Sequence, residues 1–439
     1  MNGISRDSLL LTFKSYLETT TRRWYFVFFF LLLLFLFGIA GLIRQVTGGH
    51  IVTGMRDNVV WGVYIVNFIF FMGLSYAGAL ISGVLHLFKS DWRKPIIRMA
   101  EIITVVSLVI GPFFIFFCIG RLERLPYLFI HPRIQSPITW DVIGISTDLI
   151  GCFIFLYLSF IEDFAILRDQ KKINFPSWKH KIYRFLALGY TGTPEQQKAI
   201  RISRNIMAAM IIAIAIIVYS VLAWIFGVTL QPGWNSTIFG PYFVIAAVYS
   251  GTGMLILLMY LFRKVFSLEE YITKKHFVNV GVILLIVAAF YGYFTFSDYL
   301  TKWYGSVKMD TTLIDKLFSE FYWMFIFANY LGILIPIIIV GIPRFRTIRN
   351  ITIGALIAVI ALWFNRYIIV IPTLETPFLP IQDSRIDWIN YSPTWVEWSL
   401  TLAGFSVFFL FYMVISKLAP IISVSEMTHE TDEGKKILS

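Results

Sequence analysis

Ten long apolar stretches run through this chain, and its basic residues alternate across them. They lie near 24–43, 59–88, 98–120, 139–161, 205–226, 239–262, 276–299, 318–341, 350–372 and 395–419. Each is long enough to cross a hydrocarbon core of roughly 30 Å. Lipid offers no partner to a backbone N–H or C=O, so each crossing segment must be a helix. Of the 37 Lys and Arg residues, 27 fall in the N-terminal segment, the loops that follow even-numbered stretches, and the C-terminal tail. Nine fall in the five opposite loops, and Arg366 lies inside a stretch. Basic residues accumulate on the cytoplasmic side, so both termini are expected there. The fold class that follows is an all-α polytopic membrane protein.

Composition agrees, with 58% hydrophobic and 14% charged residues. The formal charge of +11 is the same cytoplasmic excess. It faces anionic lipid head groups and requires no nucleic acid. The run at 24–43 is too long for a signal peptide and follows a charged segment, so it reads as the first membrane helix.

An internal repeat is visible. Trp61-Gly62-Val63-Tyr64 opens the second span and Phe239-Gly240-Pro241-Tyr242 the sixth, with Gly73 and Gly251 following. Three matched pairs, Gly62/Gly240, Tyr64/Tyr242 and Gly73/Gly251, share an offset of 178 residues. Spans 2–5 and 6–9 are therefore expected to form two four-helix bundles, with spans 1 and 10 peripheral. A parallel repeat of this kind has its pseudo-twofold along the membrane normal. The corresponding units are 1–57, 58–226, 227–372 and 373–439. The soluble parts are small: a basic loop at 162–204 with a surface helix expected at Phe185–Gly189, an outer loop at 373–394, and a polar, mobile tail after Pro420.

Ionisable groups inside spans are costly, so each one calls for a reason. Asp141 opens span 4, and Asp148 lies about two turns deeper on the same face. Arg121 closes span 3 on the same outer side. Glu320, Asp298 and Arg366 also cluster in the outer third, where they read as an ion pair or as part of a ligand site. Asp141 alone fits a helix cap as well. Glu101 and His86 sit with Asp91, Glu162 and Asp163 at inner helix ends, where solvated anchoring competes with a proton path to Asp148. A carboxylate at the outer site could exchange a proton with a lipophilic ligand that has polar ends.

Of the six histidines, only His86 and His276 touch spans, both at cytoplasmic ends. Facing pairs that would hold haem b are missing. Cys118 and Cys152 lack metal-ligand spacing. The chain is thus expected to carry no haem, iron–sulfur cluster or metal. Outer aromatics such as Trp234, Trp303, Trp388, Trp395 and Trp398 suit a lipid belt or a docking surface for a partner.

Several segments carry a family resemblance. They include Gly54-Met55-Arg56-Asp57 with Trp61-Gly62-Val63-Tyr64, Ser136-Pro137-Ile138-Thr139-Trp140-Asp141, and Ile161 to Asp169. Together they resemble the NrfD-like family, the polysulfide-reductase type of membrane subunit. Leu186 to Gly192, Pro232 to Phe239 and Tyr391 to Trp398 are most similar to the quinol-site membrane subunit of alternative complex III. The resemblance implies a prokaryotic plasma-membrane subunit of a respiratory electron-transfer complex. It would bind menaquinone as substrate near the outer face and feed an iron–sulfur protein and a multihaem cytochrome there. A second NrfD-like subunit is a further implied neighbour, and proton translocation an implied coupling.

The family's outer Asp maps onto Asp141, and its Gly-Arg onto Gly120-Arg121. Trp140 and Trp61 belong to the same motifs. Cys118 stands where relatives have a quinone-site histidine, Tyr219 where they have another family His, and Asn365 where they have a Glu. Two other classes of function compete. One is a secondary transporter, which would need paired breaks in matching spans, whereas Pro112 and Pro336 do not match. The other is a structural anchor with a degenerate quinone site.

Overall fold

In the computed structural model, residues 13–14, 16–18, 20–88, 90–170, 173, 175–376 and 390–427 are described. Pro377, Pro380, Arg385, Trp388, His429, Lys435 and Lys436 lie outside the described residues. Ten helices are long and apolar enough to cross a membrane. They are α1 (Arg22–Gly48), α2 (Gly62–Leu87), α3 (Ile97–Cys118), α4 (Pro137–Asp169), α5 (Pro194–Gly227), α6 (Phe239–Val265), α7 (Lys274–Gly305), α8 (Tyr322–Gly341), α9 (Ile348–Leu374) and α10 (Trp395–Leu418). No strand occurs among the described residues.

Hydropathy finds only the apolar part of a helix, so several ends move. Helix α4 continues to Asp169, and α5 begins at Pro194, where Thr193 caps it by accepting from Gln196 N at 3.3 Å. The surface helix of the basic loop spans Ser177–Leu186. Of the stretch expected to be helical, Phe185 and Leu186 end this helix and the rest is its terminating turn, with Leu188 and Gly189 at positive φ. Lys179 on this helix donates to Leu17 O and Lys417 O, tying it to the end of α10.

Helices α2, α3, α4 and α5 pack in a closed ring, and α6, α7, α8 and α9 form a second ring. The rings meet through α2 against α6, with α5 on α6 and α9 on α2. Gly251 explains the contact: a Cβ there would lie 2.1 Å from Ala77 Cβ, whereas one on Gly73 would first meet the Tyr219 hydroxyl of α5 at 3.0 Å. Small residues let the two backbones approach where lipid gives no hydrophobic drive for association. Helix α1 packs on α10, where a Cβ on Gly38 would lie 2.3 Å from Ala403 Cβ. Its other face exposes Phe26, Phe29, Phe30 and Leu33, as lipid contact requires.

Helix α8 carries a π-helical turn at Phe327–Leu331 and then Pro336. Proline cannot donate to the carbonyl four residues back. That carbonyl, Gly332 O, accepts from Tyr249 OH at 2.5 Å. Helix α3 runs unbroken through Pro112.

Two sequence expectations are overturned by burial. Trp234 is buried, with Nε1 donating to Ile369 O at 2.7 Å, so it offers no docking surface. Residues 421–427 of the expected tail are not free: Ile421, Ile422, Val424 and Glu426 are buried against the bundle. Backbone amides of this segment donate to Asp163 of α4.

Candidate functional site

Helix α4 turns one face inward along its whole length. Asp141, Asp148, Cys152, Phe155, Ser159 and Asp163 are all buried and fall on that face. From first to last they cover about 33 Å of rise, close to the thickness of a hydrocarbon core. Polar groups therefore mark this face from one membrane side to the other, with Phe155 as the apolar interruption.

Asp141 is the fifth residue of α4, after the N-cap Ser136. It is 8% exposed, and its Oδ1 has no hydrogen-bond partner. No helix N–H donates to its side chain, so the cap it might have formed is not made. Asp148 is fully buried. Its Oδ1 accepts from Cys152 Sγ at 3.2 Å, and its Oδ2 has no partner. Tyr76, on the facing α2, adds a third unsatisfied group, since its hydroxyl is buried without a partner. It lies within electrostatic reach of Asp148, Asp141 and Tyr219. Leaving such groups unpaired costs about 1–3 kcal/mol each.

Tyr76 packs on Tyr219 of α5 with ring centroids 4.9 Å apart. The Tyr219 hydroxyl accepts from Arg366 Nη2 at 3.5 Å. Arg366 is 2% exposed and has no ion-pair partner among the described residues. Its guanidinium is held by Tyr219, by Asn365 Oδ1 at 3.5 Å, and by the Phe243 ring, 4.7 Å from Cζ to centroid.

The expected ion pair among Arg366, Asp298 and Glu320 is therefore not formed. Asp298 pairs with Lys302 at 2.5 Å and accepts from Ser236 at 3.0 Å. Glu320 is largely exposed, 3.5 Å from Lys316. Lys302, one turn away, satisfies Asp298, while Glu320 faces outward and Lys316 is drawn to Glu375 at 2.9 Å, which leaves Arg366 to the interior.

The other expected quinone-site residues disperse. Trp61 stacks on Trp234 at 6.3 Å and meets Phe226 edge-on, at the end of α5. Cys118 donates to Ile115 O at 3.2 Å and lies near Tyr64. Tyr64 in turn donates to Gln45 Oε1 of α1 at 2.6 Å. Arg121 and Trp140 are exposed at the α3–α4 connection. Asp141, Asp148 and Tyr219 come together around Tyr76, which the sequence reading missed. Its signal was present, as a phenol deep in a span rather than in the interfacial belt.

At the opposite end of α4, three of the groups expected to be solvated, Asp163, Glu101 and His86, are enclosed. Asp163 pairs with Arg98, and both are fully buried. Asp163 also accepts from Val424 N at 3.1 Å and Ser425 N at 2.9 Å. Arg98 donates onward to Ser159 O at 2.6 Å and Pro420 O at 3.2 Å. Arg204 of α5 forms an ion pair with Glu426 and lies 3.7 Å from Glu101. That distance exceeds a hydrogen bond, and both Glu101 oxygens lack partners. Burial alone would raise the Glu426 carboxyl, but Arg204, with Arg93 behind it, holds it down at about 2. His86 Nε2 lies 3.0 Å from Asn205 Oδ1. His276 closes the capping box of α7 with Thr273.

Between the two ends is a cleft lined by Ser82, Glu101, Thr104, Cys152 and Phe155. It is too tight to admit water, so Glu101 and the Cys152–Asp148 pair are neighbours across a closed gap.

Residues 51–377 match the family described as "Polysulphide reductase, NrfD". The chain is 21% identical over 415 residues to the C subunit of selenate reductase from Mesobacillus selenatarsenatis, covering 90% of this chain and 94% of that one. It is 23% identical over 392 residues to an Hdr-like menaquinol oxidoreductase integral membrane subunit of Archaeoglobus fulgidus, covering 86% and 89%. It is 27% identical over 226 residues to the membrane C subunit of a putative dimethyl sulfoxide reductase from Halobacterium salinarum, covering 51% and 48%.

Proposed function

This chain belongs to the NrfD family of polysulphide-reductase membrane subunits, and on that premise we propose that it binds menaquinol or menaquinone inside the α2–α5 ring. Its electrons pass to or from a partner subunit at the Asp141 end. The relatives are membrane subunits of reductase or oxidoreductase complexes, and one carries menaquinol in its name. The observation that carries the reading is the set of unpartnered polar atoms, Asp141 Oδ1, Asp148 Oδ2 and Tyr76 Oη, buried inside the ring. A bound quinol would supply two electrons and two protons there. Asp141, at the mouth, is the acceptor of the first proton. Tyr76 and Asp148 hold and pass protons deeper along α4.

The polar face of α4 favours exchange with the far side. Cys152 connects Asp148 to the cleft, and Glu101 waits across it with no hydrogen bond of its own. Because the cleft is dry and Phe155 intervenes, passage needs a side-chain movement, so the route is gated rather than continuous. Arg204, shared between Glu101 and Glu426, sets the charge at its inner end. His86, bonded to Asn205, flanks that end.

With basic loops on the cytoplasmic side, the Asp141 end faces outward. An iron–sulfur subunit and a multihaem cytochrome would dock there, on a rim that exposes His131, Trp303 and Trp395. The lipid-exposed face of α1 suits a second membrane subunit. A transporter would need matched breaks in the two rings, yet α3 is continuous through Pro112 and only α8 is distorted. A mere anchor would have no use for three unsatisfied polar groups.

The test is purification of the intact complex in mild detergent, with identification of bound quinone and of cofactor-bearing subunits. Asp141→Asn should lower quinol turnover by about 10²–10⁴-fold, the range for general acid–base groups, with assembly intact. A complex with neither bound quinone nor quinol-linked turnover overturns the proposal.

A further inference from the structure

On the outside of the second ring a cavity of about 470 Å3 opens toward lipid between α7, α8 and the short helix Lys308–Ser319. Its walls are aromatic, including Phe296, Tyr299, Trp303, Phe318 and Tyr330. It lies at the packing of α7 on α8, the counterpart in the second ring of the α3–α4 packing beside Asp141. Its polar wall is Asn329, which is 7% exposed and belongs to the π-helical turn.

Arg366 fixes the hydrogen-bond polarity of that wall, because it has only donors. Asn365 therefore turns Oδ1 toward it, at 3.5 Å from Nη1. The Asn365 amide nitrogen then faces the other way and donates to Tyr242 Oη at 3.1 Å and to Asn329 Oδ1 at 3.3 Å. Asn329 has spent its acceptor on Asn365. Its own Nδ2 is left over, buried and without a hydrogen bond, at a residue that lines the cavity. The Tyr299 hydroxyl lies beside the amide and can take one of the two Nδ2 hydrogens, which leaves the other for a ligand.

A pocket of this volume with aromatic walls and few fixed polar groups has the make-up of a small-molecule site. Its free donor asks for an acceptor, and its walls ask for a flat ring. We propose that this cavity is a second quinone-binding site, in which Asn329 Nδ2 donates to a quinone carbonyl and the isoprenoid tail leaves between α7 and α8. A phospholipid ester also offers a carbonyl on an apolar chain, but it has no planar ring to meet the aromatic walls. The inference rests on the reading of the chain as a quinone-handling subunit.

The experiment uses the intact complex in lipid nanodiscs with a short-chain azido-naphthoquinone as photolabel, mapped by mass spectrometry. The expected result is labelling at two places, on α4 near Asp141 and on α7 or α8 near Tyr330. Unlabelled short-chain menaquinone should suppress both, and added phosphatidylglycerol neither. Asn329→Leu should cut α8 labelling by about three- to tenfold, as the loss of one hydrogen bond implies, and leave α4 labelling unchanged. Should that variant fail to assemble, Leu334→Trp, at the lipid-facing mouth, fills the cavity and should have the same selective effect. Labelling on α4 alone overturns the second site and spares the proposed function. Labelling on α8 that phosphatidylglycerol displaces, or that neither variant reduces, makes the cavity a lipid groove and also overturns it. No labelling at either place overturns both readings.

Discussion

Tyr76→Phe should make this protein more stable and slower. The substitution removes one oxygen, which is buried and has no hydrogen-bond partner. If Tyr76 were only a packing residue, deleting an unsatisfied hydroxyl would relieve about 1–3 kcal/mol of desolvation cost and change nothing else. Proton transfer gives the opposite expectation for activity. Asp141 and Asp148 are seven residues apart on α4, about 10 Å of rise, which is several hydrogen-bond lengths. Some group must bridge them, and the Tyr76 hydroxyl is within electrostatic reach of both. Loss of the bridge should lower kcat for quinol turnover by about 10²–10⁴-fold with KM little changed. Asp148→Asn should do the same, and the double variant should be no worse than either single one, because both block one relay. The assays are quinol-dependent reduction of the partner's acceptor and thermal unfolding of the purified complex. Turnover within about twofold of the parent, or a lowered Tm, would refute the bridging role.

Three further outcomes are expected. The Glu426 carboxyl is held at about 2 by Arg204 and Arg93 against the cost of its burial. A depressed pKa stabilises the docked segment 420–427 fully above the ordinary carboxylate value, and that stability is lost as pH falls toward about 2. Limited proteolysis should show the segment released on acidification, and Glu426→Gln should abolish the pH dependence. Gly251→Leu drives a side chain into Ala77, already 2.1 Å from an added Cβ, and should abolish assembly. Gly305→Ala meets nothing within 4 Å and should be silent; equal yields of both membrane-inserted variants would refute the close α2–α6 approach. Single cysteines at Ser177 and Ser306 should react with impermeant reagents from opposite sides, inner and outer respectively, and labelling of both from one side breaks the topology.

Hydrophobic length and charge alternation made the ten spans legible, because lipid imposes both requirements locally on the sequence. Gly251 has to be small where α2 meets α6, and a glycine in mid-span is visible in the sequence. Pairings across the fold were not. Asp298 and Glu320 looked like partners for Arg366 by depth alone, but Lys302 on its own helix takes Asp298, and Glu320 points outward. Asp163 and Glu101 looked solvated because they end helices, and only the returning segment Pro420–Met427 encloses them. No local pattern announces a segment that folds back more than two hundred residues later. Tyr76 was passed over, because the meaning of a phenol deep in a span depends on two carboxylates on another helix.

Arg366 gives these features a common cause. A buried guanidinium with no carboxylate is expensive, and one removed from water must be held by dipoles and ring faces. Here Tyr219, Asn365 and Phe243 hold it at the seam of the two rings. Since it can only donate, every neighbour must accept from it and turn its own donor outward. Through Tyr219 that leaves a hydroxyl hydrogen directed away from the guanidinium, on the residue whose ring packs on Tyr76. Through Asn365 it leaves an amide of Asn329 facing the second cavity. One cation without a carboxylate among the described residues thereby sets donor polarity in both rings at once. A carboxylate partner would cancel its charge and free Tyr219 and Asn365 to reverse, so leaving Arg366 unpaired is what keeps both interiors ready for an acceptor.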